Sequence, residues 1–266
     1  MEEQKEIDPK AWRLRSIISF AVFALFVGCV WATVRYIYTA PKAQQVSAPL
    51  RSAFAFNEKV AAKLYSPKAL APTYPSWMAA KKARANGKYG MGGSISQLGY
   101  SFALVQQRGT QPSEADTIRL TINDLRKFEK QQLVFNFKCI EGWSQITWWG
   151  GVRLADVLRH YKLGGADGQP IADGLEDNAY KYVGLTSQDG GYYVGIDMPS
   201  AMHPQTLLAW ELNNNPLPAE QGAPLRLIIP TKYGVKNLKK IGSIFMANTK
   251  PRDYWAERGY DYDCGL

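Results

Sequence analysis

The chain has two histidines and three cysteines in 266 residues, and that scarcity removes several chemistries at once. No HExxH string exists for a zinc hydrolase, and no Cys-x-x-Cys-His for covalent haem. Cysteines at 29, 139 and 264 are too few to supply the four thiolates of an iron–sulfur cluster. No Gly-x-Ser-x-Gly elbow presents a nucleophilic serine. Acidic residues are also outnumbered, 23 against 32 Lys and Arg, for a formal charge of +9. A basic balance of that size fits an anionic ligand, anionic lipid or nucleic acid. No zinc-finger spacing and no basic helix with interleaved aromatics supports nucleic acid, so no nucleic-acid partner is expected.

Charge is missing altogether from Ser16 to Val34. At ~1.5 Å per residue this run forms ~28 Å of helix, close to the ~30 Å hydrocarbon core of a bilayer. Trp12, Trp31, Tyr36 and Tyr38 flank it as interfacial aromatics do. The run is longer than a signal-peptide core, and no small-x-small cleavage site closes it. The expectation is a polar tail over 1–15 and a single-pass anchor over 16–36, with Cys29 a small apolar residue inside it. Lys5, Lys10, Arg13 and Arg15 precede the span, and Arg35, Lys42 and Arg51 follow it. By the positive-inside rule the margin of one residue points to an exported main domain. Prolines at 41, 49, 67, 72 and 75 mark residues 37–76 as a linker that partly drapes over the domain, with a helix from Asn57 to Tyr65.

Residues 77–266 are expected to form the main domain. Thr117 to Ile122 alternates as a strand, and Asn123 caps a short helix through Lys130. Leu133, Phe135 and Phe137 alternate with polar neighbours in a strand that ends at Cys139. Leu154, Val157, Leu158 and Tyr161 share one helix face, and the helix stops before Gly164-Gly165. Tyr180–Thr186 and Tyr192–Asp197 flank Asp189-Gly190-Gly191 as a hairpin. Pro204 opens a helix to about Asn213, and Ala223–Pro230 and Ile241–Ala247 are strands. Strands and short helices mix without regular alternation, which predicts an α+β fold with a mixed sheet.

Trp143, Trp148 and Trp149 follow Cys139 within ten positions. A thiolate at a strand end, walled by large rings, suits a soft transition metal. Composition alone favours a buried structural cysteine, and an exported domain leaves open a disulfide with Cys264. Lys232, Lys236, Lys239 and Lys240 crowd around Gly234, either as an anion cradle or as a solvated basic face.

The words of the motif add to this. Lys138-Cys139-Ile140-Glu141-Gly142-Trp143-Ser144 resembles the molybdenum-ligand segment of the sulfite oxidase superfamily. The nearest branch is the bacterial periplasmic methionine sulfoxide reductase catalytic subunit. The resemblance continues, in the family's order, through Trp149–Leu158, Leu207–Asn213, Pro216–Pro218, Gly222–Pro230 and Tyr233–Ile241. It implies a sulfite-oxidase-type molybdopterin-binding domain, a molybdenum ion held by Cys139, and molybdopterin as cofactor. Arg84 and Asn86 are implied as pterin contacts, and Lys236 and Lys239 as phosphate ligands, with Lys138 and Asn237 beside them. A membrane haem-b electron-transfer protein is the implied partner, since the chain carries no second redox motif. The family is exported behind a twin-arginine signal; here Leu14 separates Arg13 from Arg15.

True sulfite oxidases follow the ligand cysteine with an arginine-rich string. Here Glu141 stands in that string and would repel a dianion by on the order of a few kcal/mol. With Trp143 as an apolar wall and Tyr192, Tyr193 and His203 as donors to a substrate oxygen, the chain is expected to reduce a neutral sulfoxide, free or protein-bound. Sulfite oxidation is the runner-up. A third reading, from another class, is a non-catalytic subunit of a membrane complex.

Overall fold

Where charge ends near Arg15, the chain runs as one long helix. The computed structural model describes residues 8–64, 66, 68–85, 87–93, 99–106 and 117–265. They fall into two units, Met1–Asn57 and Glu58–Leu266. In the first, α1 (Pro9–Thr39) begins with the Asp8 side chain accepting the Lys10 amide at 3.0 Å and Pro9 in the first turn. It extends beyond the expected 16–36 at both ends. None of its residues is buried, and it is long and apolar enough to cross a membrane. A hairpin follows, β1 (Lys42–Ala43) and β2 (Val46–Ser47), turned by the positive φ of Gln44 and Gln45. Then α2 (Ala48–Leu64) starts well before the expected Asn57. Pro49 does not break it, because a first-turn residue needs no amide hydrogen.

The second unit is built on two five-stranded sheets. Its elements are β3 (Phe102–Gln106), β4 (Thr117–Leu120), α3 (Ile122–Leu125), β5 (Gln131–Lys138), β6 (Ser144–Arg153) and α4 (Leu154–His160). They continue with β7 (Tyr182–Ser187), β8 (Tyr193–Asp197), α5 (Met198–Met202), β9 (Leu207–Leu212), β10 (Asn215–Pro216), β11 (Arg226–Ile228) and β12 (Ile241–Ala247). One sheet is antiparallel, in the order β10-β9-β6-β5 with β11 also on β9. The other is mixed, β4-β3-β12-β7-β8, with β3 and β12 parallel. The α+β architecture with a mixed sheet is thus as expected.

The antiparallel sheet is covered on both faces. Leu208 and Leu227 pack into the larger core with Phe102, Leu154, Leu158 and Ile244. Leu207, Ala209 and Ile228 pack on the opposite face with Phe135, Phe137 and Trp149. This two-sided burial explains the main departure from the sequence reading. Residues after Pro204 form a strand, β9, rather than a helix, because a strand buried on both faces reads as an unbroken apolar run with no period of two. Each fully buried Leu or Ile there contributes roughly 1.5–3 kcal/mol of transfer free energy.

Residues 69–85 run over this sheet as an extended strap. Gln205 pairs with the Ala71 backbone in both directions, at 2.8 and 2.9 Å. The Tyr74 amide donates to Val134 O and the Ala80 amide to Ile146 O, both at 3.0 Å. The Gln221 side chain donates to Ala83 O at 3.0 Å. The strap therefore delivers Arg84 to the end of β5 and β6.

The cap of α3 also differs from expectation. Thr121, not Asn123, is the N-cap. Its hydroxyl accepts the Asp124 amide at 3.3 Å, and Asp124 Oδ2 accepts the Thr121 amide at 2.9 Å, a reciprocal capping box. The helix stops at Leu125 and does not reach Lys130. Thr121→Ala should therefore lower the unfolding free energy by about 1 kcal/mol. Asn123→Ala should change it by less than about 0.5 kcal/mol. Urea unfolding of the detergent-solubilised chain measures both.

Candidate active site

Cys139 sits where β5 turns back into β6. Its amide donates to Trp143 O at 2.9 Å, and the Gly142 amide donates to Cys139 O at 3.0 Å. Gly142 has φ +88°, a left-handed conformation that L side chains rarely adopt, so this tight turn favours glycine. The thiol is only 2% exposed, and neither Cys139 nor Cys264 is in a disulfide, so the expected rival pairing is not formed.

Aromatic rings cluster around the end of β5 and the turn. Trp143 stacks on Phe137 with centroids 6.1 Å apart, and its indole N–H donates to Glu141 Oε2 at 3.0 Å. The Arg84 guanidinium lies 4.7 Å from the Trp143 ring, with its backbone amide held by Gln145 Oε1 at 2.8 Å. Trp149 is fully buried on the far side of Phe137, with its N–H donated to Thr147 at 2.8 Å. By strand alternation Trp148 faces away from Trp149. Lys138, Ile140 and Glu141 are exposed at the mouth.

Behind the rings lie buried cations. Arg226, on β11, is buried, 4.6 Å from the Trp149 ring and 5.9 Å from that of Phe137. It donates to Gln221 O at 2.9 Å, Gln221 Oε1 at 3.0 Å and Asn237 O at 3.3 Å. Its Nε is buried with no partner, and among the described residues it forms no ion pair. Burial pushes its pKa down to about 9. Lys239 donates to Gly87 O at 3.2 Å and Glu220 O at 3.0 Å. Burial first, and then the charge of Arg226, push it down to about 8. Positive charge concentrated out of water, with a donor left over, is a site that fits an anion. A phosphate-bearing group suits the planar guanidinium in particular.

The other basic residues of the loop pair with acids or, as Lys239 does, with carbonyls. Lys236 is 1% exposed and pairs with Asp253 at 2.6 Å. Lys232 pairs with Asp263 and, at 3.4 Å, with Asp197. Lys240 donates to the carbonyls of Gly92 and Gly93. The Asn237 side chain knits its own loop, accepting the Ile229 amide at 2.7 Å and donating to Tyr233 O at 3.1 Å. Only its carbonyl meets Arg226. Asn86 lies outside the described residues.

The expected substrate donors are also engaged. The buried Tyr192 hydroxyl donates to Val235 O at 2.7 Å, and burial raises its pKa. His203 Nδ1 accepts the Gln205 amide at 3.2 Å, which leaves Nε2 to donate to Ala69 O at 3.1 Å. Burial lowers its pKa and keeps the ring neutral. Both residues brace loops; acting as donors to a substrate would require breaking these bonds. Gln221, Arg226 and Asp253 escape the sequence reading. For Arg226 a signal exists: an arginine inside Pro224-Leu225-Arg226-Leu227-Ile228-Ile229 is a cation in a buried strand, which needs a compensating charge.

Known proteins resemble this chain over most of the second unit. Residues 111–255 match the oxidoreductase molybdopterin binding domain family. The putative protein-methionine-sulfoxide reductase subunit YedZ1 of Azospira oryzae is 34% identical over 219 residues, covering 82% of this chain and 77% of that protein. The protein-methionine-sulfoxide reductase catalytic subunit MsrP of Xanthomonas axonopodis is 35% identical over 141 residues. That covers 51% of this chain, which spans only 43% of that relative's length. Among solved structures, the sulfane dehydrogenase SoxCD of Paracoccus pantotrophus aligns over 59% of this chain and 40% of its own, at TM-score 0.46 and 16% identity. The chain belongs to the oxidoreductase molybdopterin binding domain family, in the sulfite oxidase superfamily near its methionine sulfoxide reductase branch, and is a molybdenum-dependent oxidoreductase whose cofactor is molybdopterin.

Proposed function

We propose that the chain is the catalytic subunit of a membrane-anchored reductase of protein-bound methionine sulfoxide. The observation that carries this reading is the Cys139–Trp143 turn. It holds a buried cysteine and an indole whose N–H is held by a carboxylate in one tight turn, where an enzyme for a dianion would gather arginines. Among the described residues Arg84 is the one cation seen against that indole, and Glu141 stands with Lys138 beside it. An aromatic-lined turn that carries a carboxylate suits a thioether S-oxide, which is apolar but for one oxygen. The names of the Azospira and Xanthomonas relatives support the same substrate.

Each residue then has a part. Cys139 would supply a thiolate to molybdenum, Arg226 and Lys239 would hold the anionic end of the pterin, and Arg84 with Trp143 would close the mouth against water. Molybdopterin, when bound, supplies two-electron chemistry at its metal. Reduction breaks the S–O bond, takes up two electrons and two protons, and releases thioether and water. The electrons come from a membrane haem-b protein, which α1 would meet in the bilayer with the main domain in the periplasm. The length and uniform exposure of α1 support this anchor.

Purified chain supplied with a dye reductant should reduce methionine sulfoxide and leave sulfite unoxidised. Cys139→Ser should lower the rate by at least about a hundredfold. Full activity in that variant, or efficient sulfite oxidation with every sulfoxide untouched, would contradict the proposal.

Lys239 adds a pH dependence. Its charged form binds the anion, and the free protein loses that charge above pH about 8. Molybdopterin affinity should therefore fall as pH rises through that value, by up to about tenfold per unit. Reconstitution titrations of cofactor-free protein at neutral and alkaline pH measure the slope, which Lys239→Met should flatten.

A further inference from the structure

Asp253 lies outside every motif discussed so far, yet it is among the most completely engaged carboxylates of the described residues. It is 4% exposed. Its Oδ2 accepts Lys236 Nζ at 2.6 Å and the Gly195 amide at 3.3 Å. Its Oδ1 accepts the amides of Trp255 at 3.2 Å and Ala256 at 3.0 Å. Lys236 in turn donates to Gly195 O at 2.9 Å and lies 4.4 Å from the Tyr262 ring. One carboxylate thus ties the C-terminal segment and β8 to Lys236.

Lys236 closes the 3-10 turn Gly234–Lys236. The next residue is Asn237, whose carbonyl meets Arg226, and two further on is Lys239. The same loop is held at its start: the Tyr233 amide donates to Cys264 O at 2.9 Å, and Lys232 pairs with Asp263. A buried ion pair is weak evidence for stability, because two apolar residues of similar volume often fold as well or better. An apolar pair cannot reproduce direction. The bonds from Lys236 to Asp253 and Gly195 fix where the turn sits, and so where Asn237 and Lys239 lie relative to Arg226.

We propose that Asp253 is a positioning residue for cofactor retention, acting through Lys236 to hold residues 232–239 in the register that lets Lys239 and Arg226 grip one anion. This rests on the reading of Arg226 and Lys239 as the holders of the pterin's anionic end.

The test measures molybdenum per chain after gel filtration, with thermal unfolding of the same samples, for the full-length protein and three variants. Asp253→Asn should lose at least about tenfold of its molybdenum, on the scale of supporting residues around metal sites, while keeping the wild-type circular dichroism spectrum. The double variant Lys236→Met, Asp253→Leu should melt within a few degrees of wild type, and its molybdenum should still be low. Wild-type molybdenum in either variant would overturn the proposal. So would loss of molybdenum only in step with unfolding, which would make the pair a folding element alone. Arg226→Met tests the underlying reading separately: if it retained molybdenum, the anion site itself would be misplaced, whatever Asp253 does.

Discussion

A guanidinium withdrawn from water without a carboxylate costs on the order of several kcal/mol unless something anionic meets it. Arg226 is in that state, and the surrounding structure is arranged to hold it there. Its strand lies on β9 inside a sheet packed on both faces. Gln221 and the Asn237 carbonyl fix the direction of its N–H groups, and two aromatic rings lie beside it. Those contacts satisfy hydrogen bonds and disperse charge, but they do not neutralise it. Molybdopterin, which carries a phosphate, is the family's cofactor, and the unspent charge fits it. On the proposed reading, stability given up at this position in the cofactor-free chain would be regained by binding.

The same ring cluster joins the cation to the thiol. Phe137 contacts Trp143, Trp149 and Arg226, and Cys139 follows it by two residues, just past the end of the strand. A rigid strand, a glycine turn and stacked rings place the thiol with little freedom, as a metal ligand requires. The strap over residues 69–85 and the C-terminal segment hold this cluster from outside, through Gln145, Gln221 and Asp253. These supporting polar residues come from widely separated parts of the chain.

How much of this could be read in the sequence follows from how local each signal is. β5, α4 and the β7–β8 hairpin carry their own period or turn residues, so their places are legible. Leu207–Trp210 is apolar at every position, and there the period vanishes; only the neighbouring strands decide that it is β9. Asn123 reads as a cap, and Pro49 as one of the prolines of a linker, because capping and first-turn geometry depend on where a helix starts. In the site, Cys139 stands out through its neighbours. In the run of lysines, acids far along the chain, Asp197, Asp253 and Asp263, pair with Lys232 and Lys236. Charge pairing across such separations leaves no pattern in sequence.

The account turns on the Cys139 thiolate being bound to molybdenum while Arg226 and Lys239 secure the pterin. X-ray absorption at the molybdenum edge tests that most directly, on wild type and on the metal that remains in Cys139→Ser. The account predicts one sulfur fewer around molybdenum in the variant. An unchanged sulfur count would contradict it, because the metal would then be held without Cys139.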